Sequence, residues 1–406
     1  MVRKLIRRVL FENLVLSLTL LLGAAQVIVG HWAIVVVGGR PGPGLVLGLA
    51  LAAALVLANV LSLPIVRAAT RRGGALRTLA RAYVGVGFAT IVLGGVIGAA
   101  WAGFVPLAAL LGASGVAPGT VLGVFRIATV PVVAALVTML IWGFTGGQAQ
   151  IERTTLEVPV AGLSPSLRGL RIAHVSDLHV GNGMERERLA RLVADVNALE
   201  ADLIVLTGDL FDYDPAWVEH GARALAGLRA RLGIFAVLGN HDVYTGVEHI
   251  VPALAEHAPN LRLLRGELVR LETDEPLYLA GVEDPGRDWT EQGLELAPLN
   301  ALGCMLPDDG PTILLVHRPE AFEQAAKLGF PLVLAGHTHG GQVALPLRGG
   351  HWNPARAITR FYRGVYTHAE QRSILYVNRG VGTAGPQIRF NCTREIAVLT
   401  LRSGPG

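Results

Sequence analysis

Residues 170–181 read LRIAHVSDLHVG. An apolar run rich in branched side chains stops abruptly at Ser176, Asp177 and His179, and a short run that is apolar on both faces predicts a strand buried inside a sheet. The same pattern recurs along the chain. LIVLT at 203–207 is followed by GDLFD at 208–212, IFAVL at 234–238 by GNHD at 239–242, TILLV at 312–316 by His317, and LVLA at 332–335 by GHTHG at 336–340. Further runs at 277–282, 374–377 and 396–401 read as strands, and helical patterns occupy 185–199, 216–230 and 319–328. In the first of these, Leu189, Leu192, Val193, Val196 and Leu199 recur every three or four residues and form one apolar stripe. Strands alternating with helices predict a layered α/β domain with partly parallel pairing.

In such sheets the carboxyl ends of parallel strands meet at one edge, so the five polar clusters are expected to converge in one crevice. Asp177, His179, Asp209, Asn240, His317, His337 and His339 then supply seven nitrogen and oxygen donors and no thiolate. That set suits a pair of divalent first-row ions bridged by a carboxylate, whereas a structural zinc needs only four ligands. Extended residues two apart point to the same side, which predicts convergence within Asp177-x-His179 and within His337-x-His339. Glycines before Asp209, Asn240 and His337 permit close backbone approach. The two cysteines, Cys304 and Cys392, are too few for a disulfide framework and read as packed thiols.

Any one of these pieces is commonplace; five in order, each closing a predicted strand, are not. Together D-x-H, G-D-x-x-D, G-N-H-D, an isolated histidine and G-H-x-H resemble the signature of the calcineurin-like metallophosphoesterase superfamily over roughly 154–401. The strings IAHVSDLHVG, GHTHGGQ, NRGVG and REIAVLTL are similar to a bacterial membrane-associated subgroup. The resemblance implies a four-layer α-β-β-α sandwich with two divalent metals, manganese foremost and iron, zinc or cobalt as alternatives. It implies a first metal on Asp177, His179, Asp209 and His339, and a second on the bridging Asp209 with Asn240, His317 and His337. His241 matches the family's catalytic histidine and Asp212 the carboxylate that orients it, with Asp242 as an alternative orienter. The implied reaction is hydrolysis of a phosphomonoester, phosphodiester or pyrophosphate by metal-activated water.

The first 150 residues are of a different kind. Of the 406 residues 51% are hydrophobic and 16% charged, but the net charge of +4 divides into +10 for 1–150 and −6 for 151–406. Uncharged runs at 13–39, 41–66, 82–125 and 127–151 are each long enough to span a bilayer, which takes about 20 helical residues. Backbone amides without water require helices, expected at 14–37, 44–63, 84–108 and 127–144, an all-α bundle of about four spans. A fifth span within 82–125 would invert the topology, but Gly112, Ser114, Gly115, Pro118 and Gly119 read as a loop. Gly94 and Gly98 form a small-xxx-small pair suited to close helix approach.

The N-terminus carries four basic residues and the 67–81 loop five, against one each in the other two loops. This bias places both basic segments in the cytoplasm, and with them the catalytic domain, on an inner membrane. The expected domains are thus a multi-pass membrane domain, 1–150, and a metallophosphoesterase domain, 151–406. The basic residues lie between apolar runs and not on a polar face, so no nucleic-acid partner is expected. No acid lies within a span, which argues against transport. The expected partners are the lipid bilayer and a phosphoester, with a lipid or lipid-linked nucleotide among the candidates; the sequence carries no sign of oligomeric state. Leu345, Leu347, Trp352, Phe361 and Tyr362 with Arg348, Arg356, Arg360 and Arg363 form a mixture suited to lipid headgroups. A membrane scaffold or sensor that uses the metal domain for binding only is the competing class.

Overall fold

The computed structural model describes residues 14–72, 74–286, 296–347, 350–368 and 370–404. The chain divides into two compact units, Met1–Trp142 and Gly143–Gly406.

In the first unit, helices span Leu14–Trp32, Leu45–Arg72, Gly74–Ala113 and Pro118–Phe144, the first extended by a π-helical turn at Ala33–Val37. Among the described residues, four helices are long and apolar enough to cross a membrane. Large apolar side chains point outward along them, Val46 being 83% and Ile127 78% exposed, the pattern of helices solvated by lipid. At Gly94 two helices meet closely, since a Cβ there would fall 2.5 Å from the Ala25 Cβ. Polar groups pair between helices: Trp32 Nε1 donates to Thr129 Oγ1 (3.2 Å) and Asn59 Nδ2 to Gln26 Oε1 (3.0 Å). The expected loop is shorter than the sequence suggested. Helix continues to Ala113 and resumes at Pro118, because a glycine is tolerated in a membrane helix and proline suits a first turn.

The second unit holds strands β1 (Ile151–Val160), β2 (Arg171–Val175), β3 (Leu203–Thr207), β4 (Ile234–Val237), β5 (Leu261–Leu263), β6 (Glu267–Arg270), β7 (Tyr278–Gly281), β8 (Thr312–Leu315), β9 (Leu332–Ala335), β10 (Leu345–Leu347), β11 (Gly350–Trp352), β12 (Gly364–Thr367), β13 (Ile374–Val377) and β14 (Arg394–Ser403). One six-stranded sheet has the order β1-β14-β2-β3-β4-β5 and the other β12-β13-β9-β8-β7-β6. Inward residues Ile172, Leu203, Val205 and Val237 of the first sheet pack on Leu279, Ile313, Leu315 and Leu334 of the second. Outward residues Ile204 and Leu206 meet Leu189, Leu192 and Val196 of helix Arg186–Asn197, while Leu314 and Val333 meet Phe322 and Ala326 of helix Phe322–Lys327. Because strands such as β3 are covered on both faces, their sequences are apolar throughout instead of alternating. The result is a four-layer sandwich, helix, sheet, sheet, helix. β2, β3 and β4 are parallel neighbours, as are β8 and β9, so the loops after all five open at carboxyl edges.

Candidate metal centre

Each predicted donor lies in one of those five loops, but the backbone conformation differs from the expected one. Asp177, His179, Asp209, His337 and His339 have φ of 52°, 48°, 52°, 72° and 50°. Pairs such as Asp177 and His179 therefore converge from left-handed turns beyond the strand ends, not from extended alternation. A non-glycine residue in this region costs about 1–3 kcal/mol unless its surroundings hold it there. Here they do: Asp177 N donates to Gly208 O (3.0 Å) and His179 N to Asp209 O (2.9 Å). Gly239 is required by proximity, since any Cβ at that position would strike Asp209 Oδ1 and its backbone nitrogen.

Ligand atoms of Asp177, His179, Asp209 and His339 lie within 4.8 Å of one another, as do those of Asp209, His317 and His337. In the first group His179 Nε2 faces His339 Nε2 at 3.0 Å, with Asp209 Oδ2 3.5 Å from the former and Asp177 Oδ1 3.4 Å from the latter. In the second, His317 Nε2 lies 3.1 Å from His337 Nδ1, 3.2 Å from Asn240 Oδ1 and 3.2 Å from Asp209 Oδ2. Asp209 Oδ2 is common to both groups. The remote imidazole nitrogens fix the tautomers: His317 Nδ1 donates to Thr207 O (2.8 Å) and His179 Nδ1 to Asp212 Oδ1 (3.0 Å). Each Nε2 is thereby the atom that faces the centre and would offer its lone pair to a cation. Buried facing nitrogens among carboxylates, with hydrogen-bonded rings behind them, fit divalent cations of the first transition row.

Electrostatics point the same way. Burial raises the Asp177 carboxyl above its usual range. Burial also opposes ionisation of Asp209, but His317, His241 and His179 outweigh it and hold that group well below the carboxylate range. Burial pulls His179 down, yet the Asp212 hydrogen bond and the Asp209 charge raise it to about 9; His317, with Asp209 beside it, rises to about 10 in the same way. His337 and His339 are pushed well below the ordinary value by burial and by the neighbouring His317 and His179 respectively. Without a metal, two imidazoliums balance the buried carboxylates, which is the positive charge a cation would replace.

His241 lies beside this centre. Its Nδ1 donates to Asp212 Oδ1 at 2.7 Å, and its backbone nitrogen to Asp209 Oδ1 at 2.8 Å. Asp212 thus joins His179 and His241. Asp242, the alternative orienter, plays another part: it accepts from the backbone nitrogens of Leu210 (3.1 Å), Phe211 (2.9 Å) and Gly239 (2.8 Å), tying two of the loops together.

Several supporting residues were not identified from sequence. Asn378 Nδ2 donates to His174 O (2.9 Å) while its Oδ1 accepts from Gly380 N (2.8 Å), and Gly382 N donates to Asp177 O (2.7 Å). The string NRGVG is therefore a clasp around Asp177. Arg389, fully buried, donates to the carbonyls of Arg379 (2.9 Å), Gly380 (3.1 Å) and Gly382 (2.6 Å) and so holds that clasp. Asn378 closes the run 374–377 that reads as a strand, but neither the rest of NRGVG nor Arg389 carries a metal-donor pattern that marks a role in the site. Of the two thiols, Cys392 is buried and donates to His339 O (3.2 Å), but Cys304 is exposed, contrary to the expectation that both are packed.

Residues 170–341 match the calcineurin-like phosphoesterase family. A transmembrane protein with a metallophosphoesterase domain from Bos taurus is 35% identical over 294 residues, 69% of this chain and 64% of that protein. An uncharacterized metallophosphoesterase of Aquifex aeolicus is 31% identical over 62% of this chain and 92% of its own length, and one of Bacillus subtilis 30% identical over 62% and 86%. The chain thus spans less than two thirds of the cattle relative's length but nearly all of the Aquifex one.

Proposed function

The chain belongs to the calcineurin-like phosphoesterase family, and on that premise we propose that it is a membrane-anchored phosphoesterase with a dinuclear metal centre. The observation that carries this reading is the pair of donor groups sharing Asp209 Oδ2. Asp177, His179, Asp209 and His339 would hold one divalent ion; Asp209, Asn240, His317 and His337 would hold the other, with manganese the first choice among metals that accept such ligands. Bound there, the two ions would supply Lewis-acid stabilisation of the phosphoryl oxygens and an acidified water.

The protein's own residues supply the rest. Asp212 fixes the His241 ring through Nδ1, which turns Nε2 toward the leaving-group oxygen. As the water oxygen bonds to phosphorus and the ester P–O bond breaks, the leaving oxygen takes the electron pair and a proton from His241, matched by the proton the water loses. A full donor set argues against the scaffold reading. Divalent-metal-dependent turnover of bis-para-nitrophenyl phosphate tests the proposal, and folded protein without turnover under any such metal contradicts it.

We assign residues 1–150 to the membrane domain and 151–406 to the hydrolase domain, with the latter cytoplasmic at the inner membrane by the distribution of basic residues. A lipid or lipid-linked phosphoester is the substrate class this setting favours. Trp352, Ile358 and Val365 are exposed, and Thr338 Oγ1, between the two histidines, donates to Tyr362 O (2.7 Å), which ties this segment to the site. Not every residue of the segment is available to headgroups: Phe361 is buried, Arg360 pairs with Glu323, and Arg348 lies outside the described residues. Trp352→Ala with Arg363→Ala is expected to lower turnover of a phospholipid in mixed micelles while sparing the chromogenic diester. Equal losses, or none, count against a lipid substrate.

A further inference from the structure

Two tyrosines flank His241 without belonging to either donor group. The Tyr213 ring lies 4.7 Å from the His241 ring, edge to face at 65°, and the Tyr244 ring lies 5.6 Å from it. The tyrosine rings stack on each other, 5.7 Å apart and 11° from parallel. Core packing does not account for them: Tyr213 is 58% exposed and Tyr244 37%. Both are nonetheless held by the machinery. Tyr213 follows Asp212 directly, in a left-handed conformation (φ 49°) that a tyrosine adopts only when its surroundings impose it. Tyr244 sits three residues after His241 on helix Asn240–Thr245, and residues at that spacing share a helix face.

The Asp212 bond commits His241 Nδ1, so the other ring nitrogen is the one that meets the leaving group. An alcohol that leaves phosphorus with a proton from that nitrogen would lie beside the tyrosine pair, whose rings are 4.7 and 5.6 Å from the imidazole. Two rings with few rotatable bonds, fixed beforehand, form a surface for another planar group at small entropic cost.

We infer that Tyr213 and Tyr244 form the leaving-group subsite and select phosphoesters whose leaving alcohol carries a planar ring on, or one carbon from, the ester oxygen. This rests on the hydrolase reading above. The pair determines specificity; the proton is moved by His241.

The test compares two diesters with purified, manganese-loaded full-length protein: methyl para-nitrophenyl phosphate, with a planar leaving group, and methyl trifluoroethyl phosphate, without one. Comparing variant with parent for each ester separately cancels the intrinsic reactivity of the leaving group. Tyr213→Ala and Tyr244→Ala are each expected to lower kcat/KM for the aryl ester about tenfold, mainly through KM, with little change for the trifluoroethyl ester. Tyr213→Phe and Tyr244→Phe keep the ring faces and should retain the preference. Equal losses on both esters, no loss on either, or loss in the phenylalanine variants, which would indicate hydroxyl recognition of a sugar or glycerol, overturns the inference and leaves the hydrolase reading standing. Parent protein that turns over neither ester contradicts the hydrolase reading and removes the inference with it.

Discussion

Asp209 is the residue on which both donor groups depend, with Oδ2 3.5 Å from His179 Nε2 and 3.2 Å from His317 Nε2. Asp209→Asn should therefore lose bound metal and activity together, measured by metal analysis and diester turnover on the same sample. His241→Ala should keep its metal and lose about 10²–10⁴-fold in kcat, the range for a general acid. Asp212→Asn belongs between them. Its carboxylate serves His179 as well as His241, so it should lose rate and also weaken metal binding about 10- to 100-fold. That these seven side chains gather could be anticipated from sequence, because donor chemistry is a matter of residue type. Their backbone could not: left-handed turns at Asp177 and His179 are imposed by contacts from Gly208 and Asp209, far from them in sequence.

At the scale of elements, the loop after β13 and the start of β14 help to hold the site. Arg379 Nη2 donates to Glu395 Oε1 (2.9 Å), which also accepts from Tyr376 Oη (2.8 Å), and Arg379 N donates to Glu395 Oε2 (2.9 Å). Glu395→Ala leaves the largely buried arginine with the exposed Glu152 as its remaining carboxylate partner and should cost about 1–3 kcal/mol in chemical denaturation. β1 went unread because it is an edge strand, IERTTLEVPV, whose charged residues hide any apolar run; it is recognised only by its ten-residue parallel register with β14. The helices of the first unit were legible in number but not in length. Hydropathy reports the part that lipid covers, about 30 Å, whereas Gly74–Ala113 runs roughly 60 Å and takes in Arg77 and Arg81.

For the whole molecule, the mild net charge of +4 conceals a basic-looped membrane unit and an acidic unit in which Asp177, Asp209 and Asp212 gather at one site. That gathering gives the metal-free protein a definite pH dependence. His179 and His317 are raised to about 9 and about 10, so their contribution is complete below 6.5 and is lost as pH rises through those values. His174, lowered to about 3 by burial, and His337 and His339, also lowered, act oppositely: below 6.5 the unfolded chain takes up protons that the folded one refuses. These histidines therefore place the greatest stability of the chelated protein near pH 6.5, with losses as pH falls below it and as pH rises from it toward 10; thermal unfolding in chelator that shows stability rising from 6.5 to 10 would contradict this charge arrangement. The central claim is tested most directly by metal content and turnover measured together on purified full-length protein. The account predicts about two divalent ions per chain, loss of bis-para-nitrophenyl phosphate hydrolysis on chelation, and its return with manganese. Hydrolysis that survives complete removal of metal, or folded metal-replete protein that hydrolyses nothing, would contradict it.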